Sequence, residues 1–195
     1  MISLVLGLGN IGRKYAATRH NLGFDVVDRV SAMLKAETRS STDEYSWAVA
    51  KTEEREVVLG WPRTYMNLSG VAAKKLLFET GIPPHEMLVV VDDFNLPLET
   101  LRIRASGSDG GHNGLSSLIE TLGTDEFPRL RLGIGPVPTG ADVVEYVLGR
   151  FSPSERERVD QMVSRAADAV LFVISNRFDE AMSKYNVNPA SPETT

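Results

Sequence analysis

The sequence predicts a single-domain, three-layer α/β/α sandwich around a mixed, mostly parallel twisted sheet. Two short, continuous apolar runs, residues 2–8 and 87–91, read as strands buried on both faces, and such strands lie mid-sheet. Apolar residues at helical spacing follow each of them, and strands alternating with helices give parallel pairing with helices on both faces. A charged break, Glu53-Glu54-Arg55-Glu56, separates apolar runs at 47–52 and 57–61, which predicts a hairpin and so an antiparallel part of the sheet.

The elements follow in order. Residues 2–8 end in Gly7-Leu8-Gly9-Asn10, a tight turn that brings the backbone and Asn10 to the carboxyl end of a central strand. Leu22, Val26, Val27, Val30, Met33 and Leu34 predict a helix over 21–35, and the polar, Ser/Thr-rich residues 37–46 predict a surface loop. After the hairpin, Val71, Leu76, Leu77 and Phe78 mark a helix over 68–78 that Gly81 and Pro83-Pro84 stop. The strand at 87–91 runs into Asp92-Asp93. Leu101-Arg102-Ile103-Arg104 alternates as a one-sided strand, Leu115, Leu118, Ile119 and Leu122 share a helical face over 114–122, and residues 130–134 form a further strand. Residues 142–148 and 153–185 read as helical. One domain spans 1–185, and 186–195 is a polar, Pro-containing tail expected to be mobile.

Composition narrows the function. With 42% apolar, 24% charged and 7% aromatic residues in 195, the chain has the make-up of a soluble globular protein, and disordered or fibrous classes are excluded. There is no cysteine, which removes disulfides, thiolate metal sites and cysteine nucleophiles together, and fits a reducing compartment such as the cytoplasm. The N-terminal residues have no basic lead of the signal-peptide kind, and no apolar run approaches a membrane span, so no membrane partner is expected. Acidic residues outnumber basic ones 26 to 21, for a net charge of −5, which argues against tight, non-specific nucleic-acid binding. Residues 1–35 run the other way, with Arg13, Lys14, Arg19, Arg29 and Lys35 against Asp25 and Asp28, and a local phosphate-binding patch is compatible with an acidic whole.

Several short motifs carry chemistry. Gly7-Leu8-Gly9-Asn10-Ile11-Gly12 fits G-x-G-x-x-G after a strand, but a dinucleotide fingerprint opens a helix at once and wants an acidic strand end about 20 residues on. Here residues 13–20 are polar and irregular, and Asp25 and Asp28 fall inside a helix pattern. Thr18-Arg19-His20-Asn21 stands at the mouth of that helix, where Thr18 or Asn21 could simply cap it and His20 be a solvated loop residue. The other histidines are His85, before a strand, and His112 in Gly110-Gly111-His112-Asn113-Gly114. With no H-x-x-x-H spacing among the three, no metal site is expected. Asp92 or Asp93, ending a buried strand, would point one carboxylate into the sheet-end crevice, and an Asp beside a His fixes its tautomer and steadies its charged form. G-x-S-x-G is absent, which leaves water activated by a His–Asp pair. Asn10, Asn67 and Asn113 each stand beside a strand end or Gly-rich loop. Asn67 and Asn113 could cap helices, yet amides that both donate and accept also suit a peptide backbone.

Together these blocks resemble bacterial peptidyl-tRNA hydrolase. The match is carried by Gly7-Leu8-Gly9-Asn10, Tyr15-x-x-Thr18-Arg19-His20-Asn21-x-Gly23-Phe24, Thr64-Tyr65-Met66-Asn67-x-Ser69-Gly70, Asp92-Asp93, Gly110-Gly111-His112-Asn113-Gly114-Leu115 and Arg129-Leu130-Arg131-Leu132-Gly133-Ile134-Gly135, in the family's order from residue 2 to about 151. The resemblance implies a monomeric enzyme, needing no cofactor, that cleaves the ester between a peptide and the 3′-terminal ribose of tRNA and so rescues tRNA from stalled translation. It implies that His20 is the general base, supported by Asp92, and that Asn113 positions the water or the developing oxyanion. Asn10 and Asn67 would hold the substrate near the ester, in a cleft lined by Tyr15, Tyr65 and Met66. Arg104 and Arg131 match positions that hold a tRNA phosphate. Trp61, Asn95 and Pro136 depart from the residues common in the family. A relative that binds RNA without hydrolysing it, and a nucleotide-binding oxidoreductase, are the alternatives.

Overall fold

The computed structural model describes residues 1–175 and 177–186. Seven strands form one sheet: β1 (Leu4–Gly7), β2 (Glu37–Ser41), β3 (Tyr45–Lys51), β4 (Glu56–Pro62), β5 (Met87–Pro97), β6 (Leu101–Arg104) and β7 (Arg129–Gly135). The helices are α1 (Leu22–Met33), α2 (Ser69–Thr80), α3 (Asn113–Leu122), α4 (Val143–Leu148), α5 (Arg156–Ile174) and α6 (Phe178–Tyr185). The spatial order is β2-β3-β4-β1-β5-β7-β6, with β4, β1, β5 and β7 parallel and the outer pairings antiparallel.

Strand alternation sorts the core into two layers. Val5, Leu88, Val90, Leu101, Ile103, Leu130 and Leu132 pack with α1 and α5 on one face. Leu4, Leu6, Met87, Val89 and Val91 pack with α2 and α3 on the other. The fit of α1 to the sheet rests on two facing glycines. A Cβ on Gly7 would lie 2.3 Å from the Gly23 carbonyl oxygen, and one on Gly23 would lie 2.4 Å from the Val90 oxygen and 2.5 Å from the Leu8 amide nitrogen. Gly7 therefore serves helix–strand contact, not a phosphate loop: α1 opens at Leu22, ten residues beyond Gly12, so the glycine-rich turn does not run straight into a helix as a dinucleotide fingerprint requires.

Three expectations are corrected. The polar stretch after α1 is not all loop, because Glu37–Ser41 pairs with β3 as an edge strand. None of its five residues is buried, so it shows no apolar alternation to betray it. On α2 the buried stripe is Ala72, Ala73, Leu76 and Leu77, whereas Val71 and Phe78 face outward, Phe78 at 91% exposure. The alanines, small enough to approach the sheet, carry the pattern. Finally, β5 does not stop at Asp93 but runs to Pro97, its later part bulged against β7. The start of the predicted tail, Asn186, is docked: its Oδ1 accepts from the Ile103 amide at 2.6 Å and its Nδ2 donates to the Ile103 carbonyl at 3.1 Å, covering edge strand β6. Residues 187–195 lie outside the described residues.

Candidate active site

The site forms where β1 is shorter than β5. Gly7, the last residue of β1, is level with Val90, so β5 continues alone on that side and carries Asp92 past the end of its neighbour. Asp92 has the parity of Leu88 and Val90 and so faces α1, whereas Asp93 faces the α2 and α3 side. That one-residue step decides their roles. Asp92 meets the 3-10 turn Arg19–Asn21 that leads into α1, and Asp93 pairs with Arg131 (Oδ2 to Nε 3.0 Å).

His20, 6% exposed, places Nδ1 2.9 Å and 3.1 Å from the two oxygens of Asp92, which is 1% exposed. Burial raises the Asp92 pKa, but the facing His20 ring and hydrogen bonds from His112 and His20 more than reverse this, holding the carboxyl below the usual carboxylate range. As an ionised acceptor Asp92 receives the hydrogen bond that His20 Nδ1–H donates, and Nε2 keeps its lone pair free.

His112 is the member of the site that sequence reasoning left without a role. It is the N-cap of α3: its Nδ1 accepts from the Gly114 and Leu115 amides at 3.1 and 3.2 Å. Its proton is therefore on Nε2, which lies 3.2 Å from Asp92 Oδ1. The signal that could have found it is its place directly before Asn113 in the Gly-rich loop. His20, Asp92 and His112 have donor atoms within 4.8 Å of one another, so the fold assembles a possible cation-binding set that the sequence spacing had argued against. The His112 cap opposes that use, because a ligand nitrogen must present a lone pair and Nε2 carries the proton.

The asparagines separate from the capping readings in the same way. Asn113 is the exposed first residue of α3 while His112 caps it, and α2 starts without a side-chain cap although Asn67 is near. Thr18 donates to the Tyr15 carbonyl and caps nothing. Asn21 braces the loop at Asn10 instead: its Oδ1 accepts from the Asn10 amide at 2.8 Å, and its Nδ2 donates to the Asn10 carbonyl at 3.0 Å. Asn10 Oδ1 accepts from the Met66 amide at 2.8 Å, which leaves its Nδ2 hydrogens for a ligand. A cavity of about 300 Å³ brings together Asn10, Tyr15, His20, Tyr65, Met66, Asn67 and Asn113, with Val144, Val147 and Leu148 of α4 as an apolar wall. A larger hollow of about 660 Å³ between α1 and α5 holds Asp25, Arg29 and Asp160 but none of this chemistry.

The arginines lie apart from the cavity, on the sheet face opposite Leu101, Ile103, Leu130 and Leu132. Arg102 pairs with Arg131 and Arg104 with Arg129 across β6 and β7, so all four share one face at the sheet edge. Arg129 is spent internally, donating to the carbonyls of Gly107, Ser108, Asp125 and Phe127. Arg104 is exposed and Arg131 is half-buried against Asp93. The positive N-terminal patch largely dissolves: Arg19 pairs with Glu155, Arg29 with Asp160, and Lys35 lies beyond the far end of α1. Arg13 and Lys14 remain exposed beside the cleft. Of the departures from the family pattern, Trp61 donates to Asp28 at 2.8 Å, and Asn95 ties β5 to the Gly-rich loop through the Gly110 carbonyl at 3.1 Å.

The fold and this cluster define a class: an α/β protein with a buried His–Asp pair and free amides in one cleft at the carboxyl edge of its sheet. A family model described as peptidyl-tRNA hydrolase matches residues 4–193. The chain belongs to the peptidyl-tRNA hydrolase family. It is 41% identical over 186 residues to the peptidyl-tRNA hydrolase of Persephonella marina, covering 95% of this chain and 98% of that one. To that of Chloroflexus aurantiacus it is 45% identical over 184 residues, covering 94% and 98%. The crystal structure of peptidyl-tRNA hydrolase from Acinetobacter baumannii superposes with a TM-score of 0.89 at 30% identity, over 95% of each chain. Among the described residues no helix is long and apolar enough to cross a membrane.

Proposed function

We propose that this chain hydrolyses the ester joining a peptide, or an N-blocked amino acid, to the 3′-terminal ribose of tRNA, by water that His20 activates. The observation that carries the reading is the hold of Asp92 on His20 Nδ1, which turns a lone pair on Nε2 toward a cleft lined by amides. His20 Nε2 takes a proton from water as the oxygen attacks the ester carbonyl, and Asp92 steadies the imidazolium that forms. The carbonyl oxygen gathers charge and accepts hydrogen bonds from Asn113. As the tetrahedral intermediate collapses, the bond from carbon to ribose oxygen breaks and the ribose takes the proton back from Nε2. The peptide acid gives its remaining proton to solvent, and peptide carboxylate and free tRNA leave. Asn10, with its oxygen engaged by Met66, presents donors to a peptide carbonyl, and those donors would repel the ammonium of an unblocked aminoacyl-tRNA. Asn67, Tyr15, Tyr65 and Met66 complete the peptide side, and Arg104 and Arg131 supply a small phosphate site at the sheet edge. A monomer working in the cytoplasm fits this reading.

The persistence of His20, Asp92 and all three asparagines favours hydrolysis over an RNA-binding relative that has lost it. Incubation with N-acetyl-aminoacyl-tRNA and with unblocked aminoacyl-tRNA tests the proposal: free tRNA should appear from the first and not from the second. No release from the blocked substrate would end the reading.

A further inference from the structure

Arg19 stands next to the catalytic base, yet nothing in the mechanism above uses it. It is 9% exposed, and its guanidinium carbon lies over two rings, 4.4 Å from the centroid of Tyr146 and 4.8 Å from that of Phe151. Nη1 donates to the Arg150 carbonyl at 3.0 Å and reaches the Tyr146 carbonyl at 3.5 Å, while Nη2 meets Glu155 Oε2 at 3.3 Å. The backbone repeats the connection: the Arg19 amide donates to the Gly149 carbonyl at 3.0 Å, and Thr18 and Arg150 form an isolated antiparallel bridge. All of these partners but Glu155, which stands at the N-cap of α5, lie in or just after α4, the six-residue helix that lends Val144, Val147 and Leu148 to the cleft. So short a helix has little stability of its own. Its position is set by what holds it, and a planar fork that lies over two rings and donates to carbonyl and carboxylate fixes direction in a way a lysine would not.

We propose that Arg19 is a positioning residue for the reaction: it clamps α4 against the turn that carries His20, so that the apolar wall seats the peptide end of the substrate in register with the base. The inference rests on the hydrolase reading and adds to it a residue that acts on peptide binding and not on proton transfer or tRNA binding. Removing the clamp frees the wall but leaves the His20 contact with Asp92, and with it the chemistry, in place.

The test measures kcat and KM on N-acetyl-aminoacyl-tRNA, together with inhibition by deacylated tRNA, for wild type, Arg19→Gln, Arg19→Lys and Glu155→Gln. Arg19→Gln is expected to raise KM about tenfold, the size of one lost charge-assisted hydrogen bond. Its kcat should stay within about twofold and the inhibition constant of deacylated tRNA should not move. Arg19→Lys should fall between Gln and wild type, because it keeps the charge near Glu155 and loses the fork. Glu155→Gln, which leaves Arg19 in place, should raise KM about two- to threefold and carries the test if the Arg19 variants do not fold. Unchanged KM in the variants that fold overturns the proposal. So does a fall in kcat at constant KM, the mark of a merely structural role, or a parallel rise in KM and the tRNA inhibition constant. Wild-type silence overturns this inference and the hydrolase reading together, whereas the other three results leave the hydrolase reading standing.

Discussion

Replacing Asp92 by Asn tests the tautomer logic of the site, because His112 dictates which way the new amide must point. His112 has its Nδ1 occupied by two α3 amides, so its Nε2 donates to the atom at Oδ1, 3.2 Å away. The Asn oxygen must take that place. Its NH2 then stands at the former Oδ2, 3.1 Å from His20 Nδ1, while its oxygen stays 2.9 Å from the same nitrogen. Donor and acceptor then compete for Nδ1, so part of His20 carries its proton on Nε2 with no lone pair for water, and the imidazolium loses the carboxylate that steadied it. The same change in a Ser–His–Asp triad costs on the order of 10⁴ in turnover. A loss of about 10³ is expected here, or ~4 kcal/mol of barrier, because the amide oxygen 2.9 Å from Nδ1 still supports the productive tautomer in part. Single-turnover release of tRNA from N-acetyl-aminoacyl-tRNA measures it. A variant within tenfold of wild type would refute the reasoning.

Two further outcomes concern the scaffold. Burial and the neighbouring Asp28 push the Asp25 pKa up to about 6, with Arg29 opposing. The unfolded chain ionises this group near the usual 3.8, so folded stability declines between pH 4 and 6 and the deficit persists above that. Because Asp25 also keeps an edge open to solvent, screening limits the deficit to about 1 kcal/mol or less. Asp25→Asn should therefore raise Tm by roughly 2–4 °C at pH 7.5 and by less at pH 4.5 in thermal melts; an equal gain at both pH values would contradict it. For Gly23→Ala the new methyl would meet three backbone atoms at 2.4–2.5 Å that cannot turn away. A loss of about 2–3 kcal/mol is expected from urea unfolding, together with reduced activity as α1 and the His20 turn are pushed from the sheet, and an unchanged midpoint would show that α1 can yield.

The parts of this fold that could be read from the chain are those whose burial is one-sided or complete. Val5, Leu88 and Val90 announce central strands because nothing polar interrupts them, and the run of charges at 53–56 announces the hairpin. Edge strand β2 could not be read, since a strand exposed on both faces has no alternation, and the packing face of α2 was misassigned because Ala72 and Ala73 carry little hydrophobic signal. In the site, His20, Asp92 and the asparagines were legible as residue types at strand ends. Their division of labour was not, because it depends on who else takes each proton: His112 caps α3 and frees Asn113, and Asn21 braces Asn10 and gives up its cap. Charge counted along residues 1–35 misled for a similar reason, since Arg19 and Arg29 find their acids on α5 and just before it, more than 130 residues away.

The central claim is that His20 removes the proton from the attacking water. The most direct measurement is kcat/KM for N-acetyl-aminoacyl-tRNA in His20→Ala beside wild type, with binding of deacylated tRNA as the control for folding. Loss of the base should lower kcat/KM by at least about 10²–10⁴-fold with tRNA binding unchanged, whereas a variant that binds tRNA normally and keeps activity within tenfold of wild type would contradict the account.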